Sequence, residues 1–116
     1  MGVTSEEFLQ LVGQLEDVQT LDHGRYTQLK VRGQGFGYLW VATQTVGLKQ
    51  PLSEQLALVT ERPDVFEVQF TAGSMGWVVV QLARIDRSEL AELTLEAWRL
   101  TAPAELVERR GLRLPS

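Results

Sequence analysis

The chain has 116 residues, of which 44% are apolar and 22% are charged, which is the composition of an ordinary globular protein. The absence of cysteine excludes a disulfide framework, a thiolate nucleophile and a zinc site with cysteine ligands. The net charge of −4 argues against a protein whose whole surface binds nucleic acid, because phosphate is bound by dense sets of cations.

The length is that of one domain, and we expect a single domain over residues 1–116. No apolar run approaches the roughly 20 residues that are needed to cross a bilayer. The N-terminal sequence MGVTSEEF has neither the basic segment nor the apolar run of a signal peptide. We therefore expect a cytoplasmic protein that has no membrane partner.

The charges are unevenly distributed along the chain. Residues 1–22 have five acids and no base, residues 23–62 have five bases and two acids, and residues 63–116 have six bases and eight acids. The net charges of the three parts are therefore −5, +3 and −2. The basic residues of the middle part are Arg25, Lys30, Arg32, Lys49 and Arg62.

The first predicted element is an N-terminal helix. Phe8, Leu11 and Leu15 recur at helical spacing, and Thr4 and Glu7 have the spacing of a capping box. From residue 26 to residue 50 the period changes to two, which predicts three strands.

Glycines mark two special positions within these strands. The segment 33–35 (GQG) is expected to form a tight hairpin between the first two strands, because glycine reaches the positive φ that such turns need. Gly37 is expected to mark a bulge or a close approach of two backbones.

A second helix is predicted to begin at Pro51 and to end at Pro63, with an apolar stripe of Leu52, Leu56 and Val59. Two strands follow, at residues 65–70 and 76–82, joined by a flexible turn at residues 72–76.

A third helix begins at Asp86, which has capping-box spacing with Glu89. Its predicted buried stripe consists of Leu90, Leu93, Ala97 and Leu100. Residues 104–116 are predicted to form a short helical turn and a loose tail, in which Arg109, Arg110 and Arg113 are solvated. The predicted order of elements is α-β-β-β-α-β-β-α.

This order, together with the segments VGLKQP, ERPDVFEV, GWVVVQL and ELAELTLEAWRLTAPAEL, resembles the MmcQ/YjbR family over nearly the whole chain. The resemblance implies an α+β fold in two layers, with an antiparallel sheet and helices packed on one face. Such a fold is similar to type III secretion chaperones and to the frataxin-like fold. The family is described as a double-wing DNA-binding motif, and the resemblance brings no catalytic motif with it.

A nucleic-acid surface is the first functional hypothesis. Its candidate residues are Arg25, Lys30, Arg32, Lys49 and Arg62. Tyr38 and Trp40 lie two apart on one strand and so share a face, as in a platform on which bases stack. The alternative is that these two aromatic residues pack under the helices and that the cations are simply solvated.

A pocket is the second possibility for the polar and aromatic residues. Trp77 and His23 are its candidate lining residues, with Lys49, which stands where the family has a lysine. His23 is the only histidine and could act as a base oriented by Asp22, but no serine follows the pattern of a nucleophile elbow and no second histidine stands at metal-ligand spacing. No catalytic residue, metal or cofactor is therefore predicted.

Three functions remain open from the sequence. The first is a non-enzymatic DNA-binding protein, as the family resemblance implies. The second is a protein-interaction or chaperone-like module that uses an exposed sheet face or edge to bind another protein or to form a homodimer. The third is a small-molecule binder with a pocket near Trp77 and Lys49.

Overall fold

The computed structural model describes residues 2–72 and 74–116, and these form four α-helices and one six-stranded sheet. In chain order the elements are α1 (Ser5–Val12), β1 (Val18–Asp22), β2 (Thr27–Val31), β3 (Gln34–Trp40), β4 (Thr45–Pro51), α2 (Leu52–Glu61), β5 (Phe66–Ala72), β6 (Met75–Gln81), α3 (Arg87–Arg99) and α4 (Ala104–Arg110). A short 3-10 turn, Leu82–Arg84, leads into α3. The predicted turn at residues 72–76 includes Gly73, which lies outside the described residues.

The sheet has the strand order β1-β2-β3-β4-β6-β5, and every neighbouring pair is antiparallel. The α+β class is thus confirmed, but β1 was not predicted. Four of its five residues are exposed, because β1 is an edge strand. A strand that is exposed in this way has no alternation of apolar and polar residues to reveal it.

The hydrophobic core lies between one face of the sheet and the helices. Leu29 of β2, Leu48 of β4 and Val78 of β6 lie on this face and are fully buried. Helix α3 packs against β3 and β4, and helix α2 packs against β4, β5 and β6. Trp98 of α3 is the largest fully buried side chain, and its indole N–H donates a hydrogen bond of 3.0 Å to the backbone oxygen of Glu16.

The β2–β3 hairpin turns one residue earlier than predicted. Arg32 and Gly33 connect the strands with φ values of +49° and +82°, so the turn needs the left-handed region at both central residues. Gln34 and Gly35 already belong to β3.

A bulge in β3 brings an extra residue into the core. Leu29 pairs with Gly37 and Lys30 pairs with Gly35, so Phe36 has no partner of its own, and its ring is fully buried. A β-carbon on Gly37 would lie 2.8 Å from a backbone oxygen of β4. The predicted close approach at Gly37 is therefore confirmed.

The predicted apolar stripe of α2 is correct at Val59, which packs against the core, but wrong at Leu56. Leu56 is 53% exposed, whereas Gln55 is fully buried and its amide nitrogen donates a hydrogen bond of 2.7 Å to the backbone oxygen of Gln50. Pro51 is both the last residue of β4 and the N-cap of α2, so the strand sets the rotation of the helix. This rotation turns Leu58 and Val59 towards the core.

The two predicted capping boxes differ in outcome. In α1 the Thr4 hydroxyl accepts a hydrogen bond from the backbone of Glu7, and the Glu7 carboxylate accepts one from the backbone of Thr4, as predicted. In α3 the N-cap residue Asp86 makes no side-chain capping bond, and Glu89 forms an ion pair with Arg62 instead.

The C-terminal segment is not loose, because Arg110 anchors it. This side chain is almost completely buried and donates hydrogen bonds to the backbone oxygen of Gln14 (2.9 Å) and to the carboxylate of Glu16 (3.2 Å). The backbone N–H of Ser116 donates to the side chain of Gln14 at 2.7 Å. The prediction that Arg110 is solvated was therefore wrong.

None of the described helices is long and apolar enough to cross a membrane.

Candidate functional site

The face of the sheet opposite the helices, here called the open face, has a distinct composition. Alternation along each strand places its residues, and cross-strand pairs join Gln28 to Tyr38, Tyr38 to Gly47, and Lys49 to Trp77. The open face includes Tyr26, Gln28, Lys30, Tyr38, Trp40, Thr45, Gly47, Lys49, Trp77, Val79 and Gln81. All of them except the buried Gly47 are partly accessible to solvent.

Aromatic rings form a continuous row across this face. The row consists of His23, Tyr26, Tyr38, Trp40 and Trp77 and is called the aromatic row below. His23 stacks on Tyr26 with ring centroids 4.9 Å apart, and Tyr26 contacts Trp40 at 4.9 Å and Tyr38 at 5.6 Å. Tyr38 then meets Trp77 edge to face at 5.2 Å. These separations are those of stabilising aromatic pairs.

A glycine in the central strand makes the last of these contacts possible. Gly47 lies directly opposite Tyr38 on one side and Val79 on the other, so β4 has no side chain at this point of the open face. The rings of Tyr38 and Trp77 approach each other across β4 beside this position. Both tyrosines of the chain and two of its three tryptophans lie in the aromatic row.

Trp40 lines two surface cavities, here called hollows. One has a volume of about 300 Å³ and includes Thr45, Gly47 and Val79. The other has a volume of about 490 Å³ and lies at the end of the sheet, between the β1–β2 and β3–β4 turns. Its lining residues include Asp22 and Arg25. Ligands therefore have room beside an indole ring both on the open face and at the end of the sheet.

Positive charge on the open face comes from lysine. Lys30 and Lys49 are the only lysines of the chain, and both lie on this face. Neither forms an ion pair with any residue that the structure describes. Arg25 is exposed in the β1–β2 turn at the rim of the same face and is likewise without a carboxylate partner in the described part of the chain.

The other two predicted cations are engaged elsewhere. Arg32 forms ion pairs with Asp17 (2.6 Å) and Glu105 (3.7 Å), and the hydrogen bond to Asp17 raises the pKa of its guanidinium. Arg62 binds Glu89 of α3, and this hydrogen bond raises the pKa of Arg62. The five predicted cations therefore divide into three on or beside the open face and two that are held by carboxylates.

Most of the acidic residues lie away from the open face. Nine of the fifteen acids belong to the four helices, whereas the strands carry only Asp22 and Glu67. Glu67 pairs with Val79 and lies on the β5 side of the open face. The net charge of −4 therefore describes mainly the helical layer.

His23 and Trp77, the predicted pocket residues, occupy the two ends of the aromatic row, with Tyr26 and Tyr38 between them. The His23 Nε2 atom lies 3.2 Å from the side-chain oxygen of Gln28, not beside a carboxylate. Among residues 2–72 and 74–116, no group of three or more His, Asp or Glu side chains is placed to hold a metal ion.

A model of the YjbR family matches residues 9–100, which is most of the chain. The chain belongs to the YjbR family. No curated protein matches it. The crystal structure of Deinococcus radiodurans protein DR2400, with domain DUF419, is similar to this YjbR chain with a TM-score of 0.76. The sequences are 15% identical, and the match covers 95% of this chain and 89% of the other, so it shows the fold alone.

Sequence reasoning found part of the site in this YjbR protein. Tyr38 and Trp40 share one face as predicted, but the alternative that they pack under the helices was wrong. The role of Gly47 was missed, although a glycine in the middle of a central strand is a signal of close approach. Tyr26 was not among the predicted site residues, although its ring contacts those of His23, Tyr38 and Trp40.

Proposed function

We propose that this protein binds single-stranded DNA across the open face and that its role is binding, not catalysis. The observation that carries the proposal is that both lysines of the chain lie on the same sheet face as the aromatic row. His23, the only histidine of the chain, lies within hydrogen-bond distance of Gln28 and stacks on Tyr26, which supports a binding role.

The aromatic row supplies surfaces on which bases can stack. Tyr26, Tyr38, Trp40 and Trp77 are all partly exposed, and they extend over β3 and β6. Stacking of a base on an aromatic side chain contributes about 1–3 kcal/mol and depends little on sequence. A β-sheet face with exposed rings is also how several single-strand binding modules hold their ligands.

The cations beside the rings supply contacts for phosphates. Lys30 and Lys49 flank the row on the open face, and Arg25 lies at its rim. Three phosphate contacts on a single strand give a salt slope of about −2, so affinity falls about 20-fold between 50 and 200 mM salt.

A single strand suits this surface better than a duplex does. In a duplex the base faces are stacked on each other and are not available to the rings of Tyr38 and Trp40. Duplex binders also rely on many cations, whereas the helices of this protein carry nine acids.

The test is fluorescence anisotropy of a labelled dT12 strand and of a duplex of equal length, titrated at 50 and 200 mM salt. Lys49→Gln and Arg109→Gln each remove one cation, and Arg109 is exposed on α4, away from the open face. We expect dT12 to bind more tightly than the duplex, and Lys49→Gln to weaken binding and lower the salt slope by about 0.7. Equal effects of the two substitutions, or no binding at 50 mM salt, would overturn the proposal.

A protein-interaction role is the second candidate, and the edge of β1 favours it. This strand has no lysine or proline, the residues that commonly protect sheet edges, and its Leu21 is 39% exposed. Light scattering across a concentration series tests for self-association. If the protein is monomeric at every concentration, the hypothesis that it forms a homodimer through β1 is excluded.

A further inference from the structure

The larger hollow beside Trp40 combines an aromatic wall with one acidic and one basic residue. Its volume is about 490 Å³, which is in the range of small-ligand sites. The wall is formed by Tyr26 and Trp40, whose ring planes are tilted by 34° and whose centroids are 4.9 Å apart. Asp22 and Arg25 line the same hollow.

The carboxylate of Asp22 is held in place by the turn that follows it. Its Oδ1 atom accepts a hydrogen bond of 2.8 Å from the backbone N–H of Gly24. Gly24 has a φ of +89°, a conformation that favours glycine, so the turn geometry that fixes this carboxylate is specified by the sequence. The remaining lone pairs of the carboxylate are available as acceptors for a ligand in the hollow.

Arg25 supplies donors to the same space. Its guanidinium carries five N–H groups, and it makes no ion pair with a described residue, Asp22 included. The hollow thus presents acceptors from one side chain and donors from another, beside the ring of Trp40.

We infer that this hollow binds a guanine base of the bound strand, an inference that rests on the proposed function. Guanine has two adjacent donors, N1–H and the N2 amino group, which suit the Asp22 carboxylate, and two acceptors, O6 and N7, which suit Arg25. Thymine offers one N–H between two carbonyl oxygens. Adenine carries an acceptor at N1, where the carboxylate would repel it. The aromatic row therefore stacks on any base, whereas this hollow selects guanine.

The test compares dT12 with strands that carry one guanine, adenine, cytosine or inosine at a central position, measured by anisotropy at one salt concentration. We expect the guanine strand to bind about tenfold more tightly than dT12, the size of one good two-bond base contact. Inosine lacks the N2 amino group, so it should lose most of this advantage. The readout is the ratio of the affinity for the guanine strand to the affinity for dT12. General effects of charge cancel in this ratio.

Asp22→Asn retains an oxygen that can accept from Gly24 but removes the charge, and we expect it to bring the affinity ratio close to one. Arg25→Gln should also lower the ratio. The matched control is Asp64→Asn, which removes an exposed carboxylate beside Arg84, outside the hollow. This control should keep the tenfold ratio.

The outcomes separate the inference from the proposed function. Binding of dT12 without a preference for guanine, or a preference that survives in Asp22→Asn, would overturn the inference and leave the proposed function standing. A preference for adenine or cytosine would overturn the assignment of guanine. Failure of every strand to bind would overturn both.

Discussion

The rings of Tyr38 and Trp77 meet edge to face with centroids 5.2 Å apart, although strand β4 lies between the strands that carry them. Two side chains on strands that are not neighbours reach each other because Gly47 leaves the open face of β4 empty opposite Tyr38. The contact ties β3 to β6 without a hydrogen bond between these strands. It also joins the two halves of the aromatic row into one surface.

A double-mutant cycle measures this contact. Tyr38→Leu and Trp77→Leu should each destabilise the fold, and together they should cost less than the sum by about 0.5–1.5 kcal/mol, the energy of an aromatic pair beyond its burial. Urea unfolding gives the free energies. The control cycle combines Tyr38→Leu with Trp98→Phe on the other side of the sheet, where we expect additivity. A coupling in the first cycle no larger than in the control would show that the rings do not interact.

The glycine at the bulge should be the least replaceable residue of β3. In Gly37→Ala the new β-carbon would lie 2.8 Å from the backbone oxygen of Gly47, so the two strands must separate. We expect a loss of about 1–3 kcal/mol in the free energy of unfolding.

Gly35→Ala is the matched control for Gly37→Ala, because its β-carbon would meet only the flexible side chain of Gln28 at 3.6 Å. Urea unfolding of both variants provides the comparison. Similar losses for Gly35→Ala and Gly37→Ala would contradict the steric explanation.

Two neighbouring arginines of α4 should differ sharply in their importance. Arg110→Leu removes the donor to the Gln14 backbone and one of the two arginine partners of Glu16, which leaves the backbone oxygen of this partly buried hydrogen bond without its donor. We expect a loss of about 2–3 kcal/mol in the free energy of unfolding. Arg109→Leu, on the exposed side of the same helix, should change it by no more than about 0.5 kcal/mol. Thermal unfolding distinguishes the two, and equal midpoints would contradict the anchoring role.

The capping box of α1 should make stability depend on acid pH. The hydrogen bond from the backbone N–H of Thr4, and further the Thr4 hydroxyl and the charge of Arg87, lower the pKa of Glu7 below its usual 4.5. A lowered pKa in the folded state contributes stability above the unfolded pKa, and this contribution is lost as the pH falls below about 4.5 through the folded pKa.

Replacing Glu7 with glutamine checks this pH dependence. Glu7→Gln should cost more stability at pH 7 than at pH 3, because the contribution of the charged carboxylate decreases as the pH falls through the lowered folded pKa. Glu6→Gln, a substitution at the exposed neighbouring acid, should show a smaller difference between the two pH values. Unfolding in urea at both pH values provides the numbers. A loss for Glu7→Gln that is the same at pH 7 and pH 3 would rule out the charged cap.

The elements with clear local signals were predicted well. The capping box of Thr4 and Glu7 was predicted from residues three apart and is present, whereas the same spacing at Asp86 and Glu89 gives no capping box, and Glu89 pairs with Arg62 instead. The close approach at Gly37 was also predicted, because a missing side chain is visible in the sequence. The edge strand β1 and the burial of the Gln55 side chain were not predicted. Exposure of a strand and rotation of a helix depend on neighbours that are distant in the chain.

The shared face of Tyr38 and Trp40 follows from local periodicity, whereas the family was predicted from a resemblance in several segments, and that resemblance implied the α+β class. Which face of the sheet the helices cover depends on contacts between residues that are far apart in the chain, so it could not be predicted from local patterns. Because the helices cover the other face, both lysines and the aromatic row are partly exposed to solvent. Arg32, Arg62 and Arg110 are instead bound by carboxylates and backbone oxygens. Charges that are far apart in the chain become partners or remain free through packing alone.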